Sequence, residues 1–252
     1  MADPEAAESE WGGGFRNDLS AFLDDATIER AIDHGRLLEL RPRNVRYSAF
    51  VDASGGRHDA FTLCIGHEEG DRFIGDVVRG TRAPFDPQEV VKEYAALCND
   101  YRISEVFGDN YSGAWAETAF QDAGIRYERA EKNKSVLYLE ALPLFMRGAI
   151  RIPDLPALTR ELRLLERQTH RSGRDTVDHG RHGSDDYANA LCGCAAHAVK
   201  RGGYDWTMQW VDGPDLDAPP ETEEERHLHE ERQWQRMQTW QHIMRHSGFR
   251  GW

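Results

Sequence analysis

The chain has 252 residues, 39% of them hydrophobic, and a formal net charge of −13, which is enough to bury one sizeable core. There is no apolar run long enough to span a bilayer and no charged-then-apolar secretory start, so the expectation is a soluble protein of the cytoplasm. The charge is uneven: residues 1–41 carry 4 basic and 10 acidic side chains, residues 201–252 carry 6 and 10, and residues 42–200 carry 21 and 24. The flanks thus supply most of the acidity, and the overall charge does not exclude nucleic acid as a partner of the middle.

In chain order, an acidic stretch to Glu10 and a break at Gly12–Gly14 precede FRNDLSAFLDDATIERAI, which predicts helical pieces capped near Asp24 or Asp25. Strands are expected at about Arg46–Val51, Phe61–His67 and Arg72–Val78. The turn-rich SGGRHD and EEGD between them predict three consecutive antiparallel strands. The period then changes. Asp86 and Pro87 open a helix with an apolar face through Leu97, and the short run Ile103–Phe107 reads as a buried strand parallel to the first. Helices at Ala114–Asp122, Lys134–Met146 and Leu155–Glu166, a strand at Arg126–Glu128 and a last helix from Asp185 complete an α/β layer. Past Lys200, Gly, Pro and acid clusters read as a linker. Glu221 to Arg245 then reads as one charged helix bearing Trp234 and Trp240, fit either to dock a partner or to fold back on the core.

Three acidic positions stand out against this frame. VRYSAFVDASGG (45–56) runs β-formers directly into Asp52, and RISEVFGDNYSG (102–113) ends in the same way at Asp109. SDDYANALCGCAA sets Asp185 and Asp186 on the first turn of a small-residue helix that Ser184 is placed to cap. Acids at the carboxyl ends of strands converge in open α/β sheets, and hard cations such as Mg²⁺ or Mn²⁺ prefer oxygen ligands. Adjacent helical residues point about 100° apart, so Asp185 and Asp186 are not equivalent ligands to one ion. Asp59, across a turn from Asp52, is either a further ligand or a turn former. Asp178 is an auxiliary acid whose simpler role is pairing with an arginine, and His182 is placed to act beside the metal rather than on it. Arg160, Arg163, Arg167, Arg171, Arg174 and Arg181 form the densest basic stretch. The first two sit on an amphipathic helix with Glu161 and Glu166, and Arg171 and Arg174 in a polar loop suit DNA phosphates. Cys192 and Cys194 lack zinc-site spacing and read as buried thiols.

Several of these segments, in the same order, resemble the C-terminal nuclease domain of phage large terminase subunits, a branch of the RNase H-like (retroviral integrase) superfamily. The carriers are YSAFVDASGG, DAFTLCIGH, PFDPQEVVKEYAALCNDYRISEVFGDNYSGAW, GIRYERAEKNKS and LLERQTHRSGRDTVDHGRHGSDDYANAL, within residues 13–198. The resemblance implies an RNase H-like mixed α/β sheet flanked by helices. In this division residues 1–41 resemble the terminase interdomain linker, 42–200 form the nuclease domain, and 201–252 are a linker and C-terminal helical extension. It implies a two-metal endonuclease cutting viral DNA during packaging in the host cytoplasm, with Asp52 and Asp109 as ligands, the third in the SDDYANA segment with Asp186 preferred to Asp185, and an extra acid at Asp59. Lys132 and Lys134 in EKNKS resemble a segment near the DNA channel; a lysine there would also offset carboxylate repulsion, and the plain alternative is a solvated helix start. The implied partners are double-stranded DNA, portal protein, the small terminase subunit and a separate packaging ATPase, since the chain has no G-x-x-x-x-G-K-[ST] loop. Two other readings stay open: a resolvase or recombinase-type nuclease of the same fold, and a noncatalytic DNA-packaging module.

Overall fold

The structure is a computed structural model and describes residues 19–37, 39–109, 113–170, 174–180 and 183–201. The chain divides into two units, residues 1–204 and 205–252, and all described residues lie in the first. The expected linker and helix beyond Arg201 therefore fall outside the described residues, as do His182 and Arg171.

Strand β1 (Leu19–Ala21) leads to helix α1 (Asp25–Ala31), whose cap is Asp24 accepting from Thr27 N at 2.6 Å, and to β2 (Ile32–Asp33). Then come β3 (Tyr47–Asp52), β4 (Phe61–Glu69) and β5 (Arg72–Thr81), the expected antiparallel meander. Helix α2 (Pro87–Asp100) has Pro at its first turn and Asp86 accepting from Gln88 N at 2.9 Å. It delivers β6 (Glu105–Gly108) parallel to β3, followed by α3 (Gly113–Asp122), β7 (Arg126–Arg129) and α4 (Lys134–Met146). The remainder is β8 (Ile150–Pro153), α5 (Pro156–Leu164), β9 (Leu165–Thr169), β10 (Asp175–His179) and α6 (Asp186–Arg201).

Seven strands form one mixed sheet in the order β2-β8-β5-β4-β3-β6-β7, flanked by helices, which is the expected RNase H-like architecture. A separate ribbon, β1-β9-β10, ties residues 19–21 to residues 165–179 by antiparallel pairing. Its strands correct the expected helix at Leu155–Glu166, which stops at Leu164, and they place Arg167 on a strand. Strand β8 is likewise absent from the sequence reading. The hydrophobic pattern of β9 and β10 is too thin to announce them, because only Leu165 and Val177 are buried.

The central strands are apolar on both sides because both faces are covered. On β3, Ala49 and Val51 pack with Val90, Val91 and Tyr94 of α2, while Phe50 packs on the opposite face with Leu191 and Cys194 of α6 and Tyr138 of α4. Each such large side chain contributes about 1.5–3 kcal/mol. Cys64, Cys98, Cys192 and Cys194 are all buried free thiols. Helix α6 lies so close to β3 that a Cβ on Gly193 would sit 2.7 Å from the Phe50 ring. A helix of Ala, Gly and Cys residues is what permits that approach.

Candidate functional site

Asp52 is the last residue of β3. The pairing of Val51 with Gly108 puts Asp109, the residue after β6, beside it. The third contributor comes from α6, where Asn189 Nδ2 donates to Asp52 Oδ2 at 2.8 Å and to Asp109 Oδ2 at 3.4 Å. Asn189 stands three residues after Asp186, neighbouring positions on one face of α6, and its backbone amide donates to the Asp185 carbonyl at 2.7 Å. Asp186 Oδ2 accepts from Ala60 N at 3.0 Å, and its carbonyl accepts from Thr62 Oγ1 at 2.7 Å, which fixes the start of α6 against β4. Asp185 is buried, accepts from Tyr138 Oη at 2.8 Å and pairs with Lys134 Nζ at 2.9 Å. Asp59 is exposed on the turn before β4, close enough to Asp186 to act on its charge.

Crowding is visible in the acid strengths. Burial pushes the Asp52 carboxyl up to about 7 against the opposing hydrogen bond from Asn189, and the charges of Asp186, Asp109 and Asp185 add to the rise. Burial also raises Asp186, against the opposing Ala60 amide. Lys134 offsets part of this charge. Its own burial works against the cation, but Asp185 and Asp178 together raise it above the ordinary lysine value.

A second constellation adjoins the first. Carboxylate oxygens of Asp178 and Asp185 and a ring nitrogen of His179 lie within 4.8 Å of one another, and Lys134 Nζ is 2.9 Å from each acid. Asp178 thus pairs with a lysine, not with the arginine expected from sequence. Burial would raise its carboxyl, but Lys134 holds it below the ordinary range. His179, which carries no signal in the sequence, is 3.8 Å from Asp185 Oδ1.

The basic residues are distributed differently from the sequence expectation. Lys132 is paired with Glu140, Lys134 with Asp178 and Asp185, and Arg167 with Asp175, while Arg174 is exposed at the start of β10. Glu161 does not lie on a solvated face with Glu166. It is 6% exposed, and its Oε2 accepts from Tyr187 N at 2.7 Å and Ala188 N at 3.1 Å. Ser184 donates its hydroxyl to Glu161 Oε1 at 2.9 Å instead of capping the helix itself. Burial pushes the Glu161 carboxyl up to about 7 despite these bonds. Asn189 and Glu161, like His179 and Tyr138, are residues that the sequence reading misses. The only signal for Asn189 is its one-turn spacing from the acid pair.

Neither a protein-family model nor a curated protein sequence matches the chain. Its structure is similar to solved phage proteins. The large terminase of bacteriophage HK97 superposes with a TM-score of 0.56 at 16% identity, over 77% of this chain and 50% of that one. The large terminase nuclease of thermophilic phage G20c with bound magnesium gives 0.57 at 18% identity, over 70% of this chain and 96% of that one. The nuclease domain of the large terminase subunit gp2 of bacterial virus Sf6 gives 0.53 at 16% identity, over 70% and 98%. The chain therefore spans about half the length of the HK97 protein, and its alignments cover nearly all of the two isolated nuclease domains. At these identities the likeness defines the fold, which is that of phage large-terminase nucleases.

Proposed function

We propose that the chain is a divalent-metal-dependent endodeoxyribonuclease that hydrolyses DNA phosphodiester bonds and cuts viral DNA during genome packaging. The observation that carries this reading is the gathering of acids around Asp52 at the carboxyl ends of β3 and β6: Asn189 bridges Asp52 and Asp109, and the charges of Asp109, Asp186 and Asp185 all act on the Asp52 carboxyl. The donor set fits Mg²⁺ or Mn²⁺: it is all oxygen, its carboxylates are held in mutual repulsion, and Asn189 Oδ1 is buried with no hydrogen-bond partner among the described residues. Asp52 and Asp109 are the ligands in this proposal, with Asp186 the third, while Asp185 is held back by Tyr138 and Lys134. Two such ions, when bound, stabilise the attacking and leaving oxygens of phosphodiester cleavage. The protein's part is to orient the acids. Asn189 spaces Asp52 from Asp109, Glu161 pins the helix start that bears Asp186, and Lys134 compensates the acid nearest the protein interior. The packaging context, with portal protein, small terminase subunit and a separate ATPase as partners in a host cytoplasm, extends the fold likeness to this chain.

Plasmid nicking with Mn²⁺ tests the proposal. The parent should cut, and folded Asp52→Asn and Asp109→Asn variants should lose activity by at least 10²-fold. Cutting by Asp52→Asn at the parental rate would remove the acid cluster from the reaction, and a parent that binds DNA without cutting would leave a noncatalytic packaging module. Branched substrates cut much faster than linear duplex would point to a resolvase.

A further inference from the structure

Lys132, Lys134 and Arg167, which the sequence offers to DNA, are paired with acids, and a different pair of arginines lines a pocket at the same end of the sheet as the acid cluster. A pocket of about 200 Å³ opens between the end of β5, α5 and the segment entering α6, with Arg82 and Arg160 on it and Ala157 and Leu164 as apolar walls. Both arginines are exposed, and no acid among the described residues pairs with Arg160. The charge of Arg82 acts on the Tyr187 phenol of α6, whose hydroxyl donates to Gly80 O at 3.4 Å. Glu161 and Ser184 form the inner wall, but the Glu161 carboxylate is turned inward to Tyr187 N and Ala188 N.

The pocket lies at the same end of the sheet as the acids. Asp52 on β3 is opposite Thr62 on β4, and Thr62 is opposite Gly80 on β5, two residues before Arg82. Two strand spacings put Gly80 about 10 Å across the sheet from Asp52, and two further residues carry Arg82 to about 12 Å. Arg160 reaches the pocket from α5, next in sequence to Glu161, whose carboxylate holds the start of α6. A nucleic-acid strand with one phosphate against the acids would run its next phosphates past this pocket. Guanidinium groups pair bidentately with phosphate oxygens, and two of them converging on one pocket suit an anion with several oxygens.

We propose that Arg82 and Arg160 form a subsite for a backbone phosphate of the strand being cut, flanking the scissile bond. The inference rests on the nuclease reading for its substrate, but its binding step is separable from cleavage. The arginines grip the strand beside the cut, so they act on affinity and register and not on the bond-breaking step.

The test is fluorescence anisotropy of a labelled 30-base-pair duplex in EDTA across a salt series, with Arg82→Gln, Arg160→Gln and the double variant in the full chain. Arg72→Gln, at the far end of β5, is the control. The double variant should bind at least tenfold more weakly, and its plot of log affinity against log salt should flatten by about one unit, the value for one lost phosphate contact. Cleavage at saturating DNA with Mn²⁺ should change less than threefold while KM rises. Duplexes with 5′-phosphate and 5′-hydroxyl ends should bind alike, and a preference for the phosphorylated end would overturn a backbone subsite in favour of a terminal one. Affinity and salt slope equal to the parent's in a folded double variant would overturn the proposal outright. If the parent does not cut but the double variant still loses affinity and slope, the subsite stands and the nuclease reading falls.

Discussion

Replacing Asp52 by Asn should stabilise the metal-free protein, and the gain should depend on pH. The Asp52 carboxyl is raised from 3.8 to about 7, chiefly by burial. Between about pH 4 and pH 7 the folded state therefore keeps a proton that the unfolded chain has released. Stability falls as pH rises through that window and stays low above it. At about 1.4 kcal/mol per unit the ceiling is about 4 kcal/mol. Asp52 is partly exposed and shares its titration with neighbouring acids, so about 2 kcal/mol is the realistic loss at pH 8. Asn removes that loss, and its oxygen still accepts from Asn189. For a domain near 200 residues this corresponds to a melting temperature about 4–8 °C above the parent in EDTA at pH 8, and to no difference near pH 4. Adding Mn²⁺ should invert the order, since binding at 100 times Kd stabilises the parent by about 2.7 kcal/mol and the variant much less. Differential scanning calorimetry at pH 4, 6 and 8, with EDTA or Mn²⁺, reads all three effects. A shift of the same size at every pH, or equal stabilisation of both proteins by Mn²⁺, would refute the reasoning.

Glu161→Ala strands the Ser184 hydroxyl and two amides at the start of α6, and should cost about 2–4 kcal/mol in urea unfolding, with Glu161→Gln recovering most of it; a loss below about 0.5 kcal/mol for Ala would show that water replaces the carboxylate. Gly193→Ala places a Cβ 2.7 Å from the Phe50 ring and should destabilise by about 1–3 kcal/mol, while also reducing the Mn²⁺-induced rise in melting temperature. If it melts with the parent, the helix has room to move. Deleting residues from Gly213 onward removes none of the candidate ligands, so cutting of naked plasmid should persist; an inactive, strongly destabilised truncation would make residues 213–252 part of the nuclease core.

The strand-end acids were legible because an apolar β run ending in Asp is a local pattern. Asp52 and Asp109 each carry that pattern, and so does the meander whose turns are written as SGGRHD and EEGD. Residues whose role depends on a distant partner were not legible. Asn189 is one amide in an Ala-rich helix, and only its reach across to β3 and β6 marks it. Glu161 sits in a charged helical stretch where a solvated glutamate is the ordinary reading, and burial against α6 reverses that. Lys134 reads as a candidate for DNA until the fold brings Asp178 and Asp185 to it. The β9–β10 strands were hidden because ERQT and DTVDH put mostly polar side chains on a ribbon with a single buried residue per strand.

The contact between Gly193 and Phe50 also sets a mechanical property of the site. Asp186 lies seven residues from Gly193 along α6, about 10 Å at 1.5 Å per residue. If the helix pivots where it rests on the Phe50 ring, a tilt of about 5° swings Asp186 through about 1 Å, a displacement that can cost on the order of 10²-fold in rate. Angular play is thus magnified along a lever whose fulcrum is a phenyl ring on the far side of β3 from α2. Mutations around Phe50 should therefore detune the reaction without touching any group that takes part in it.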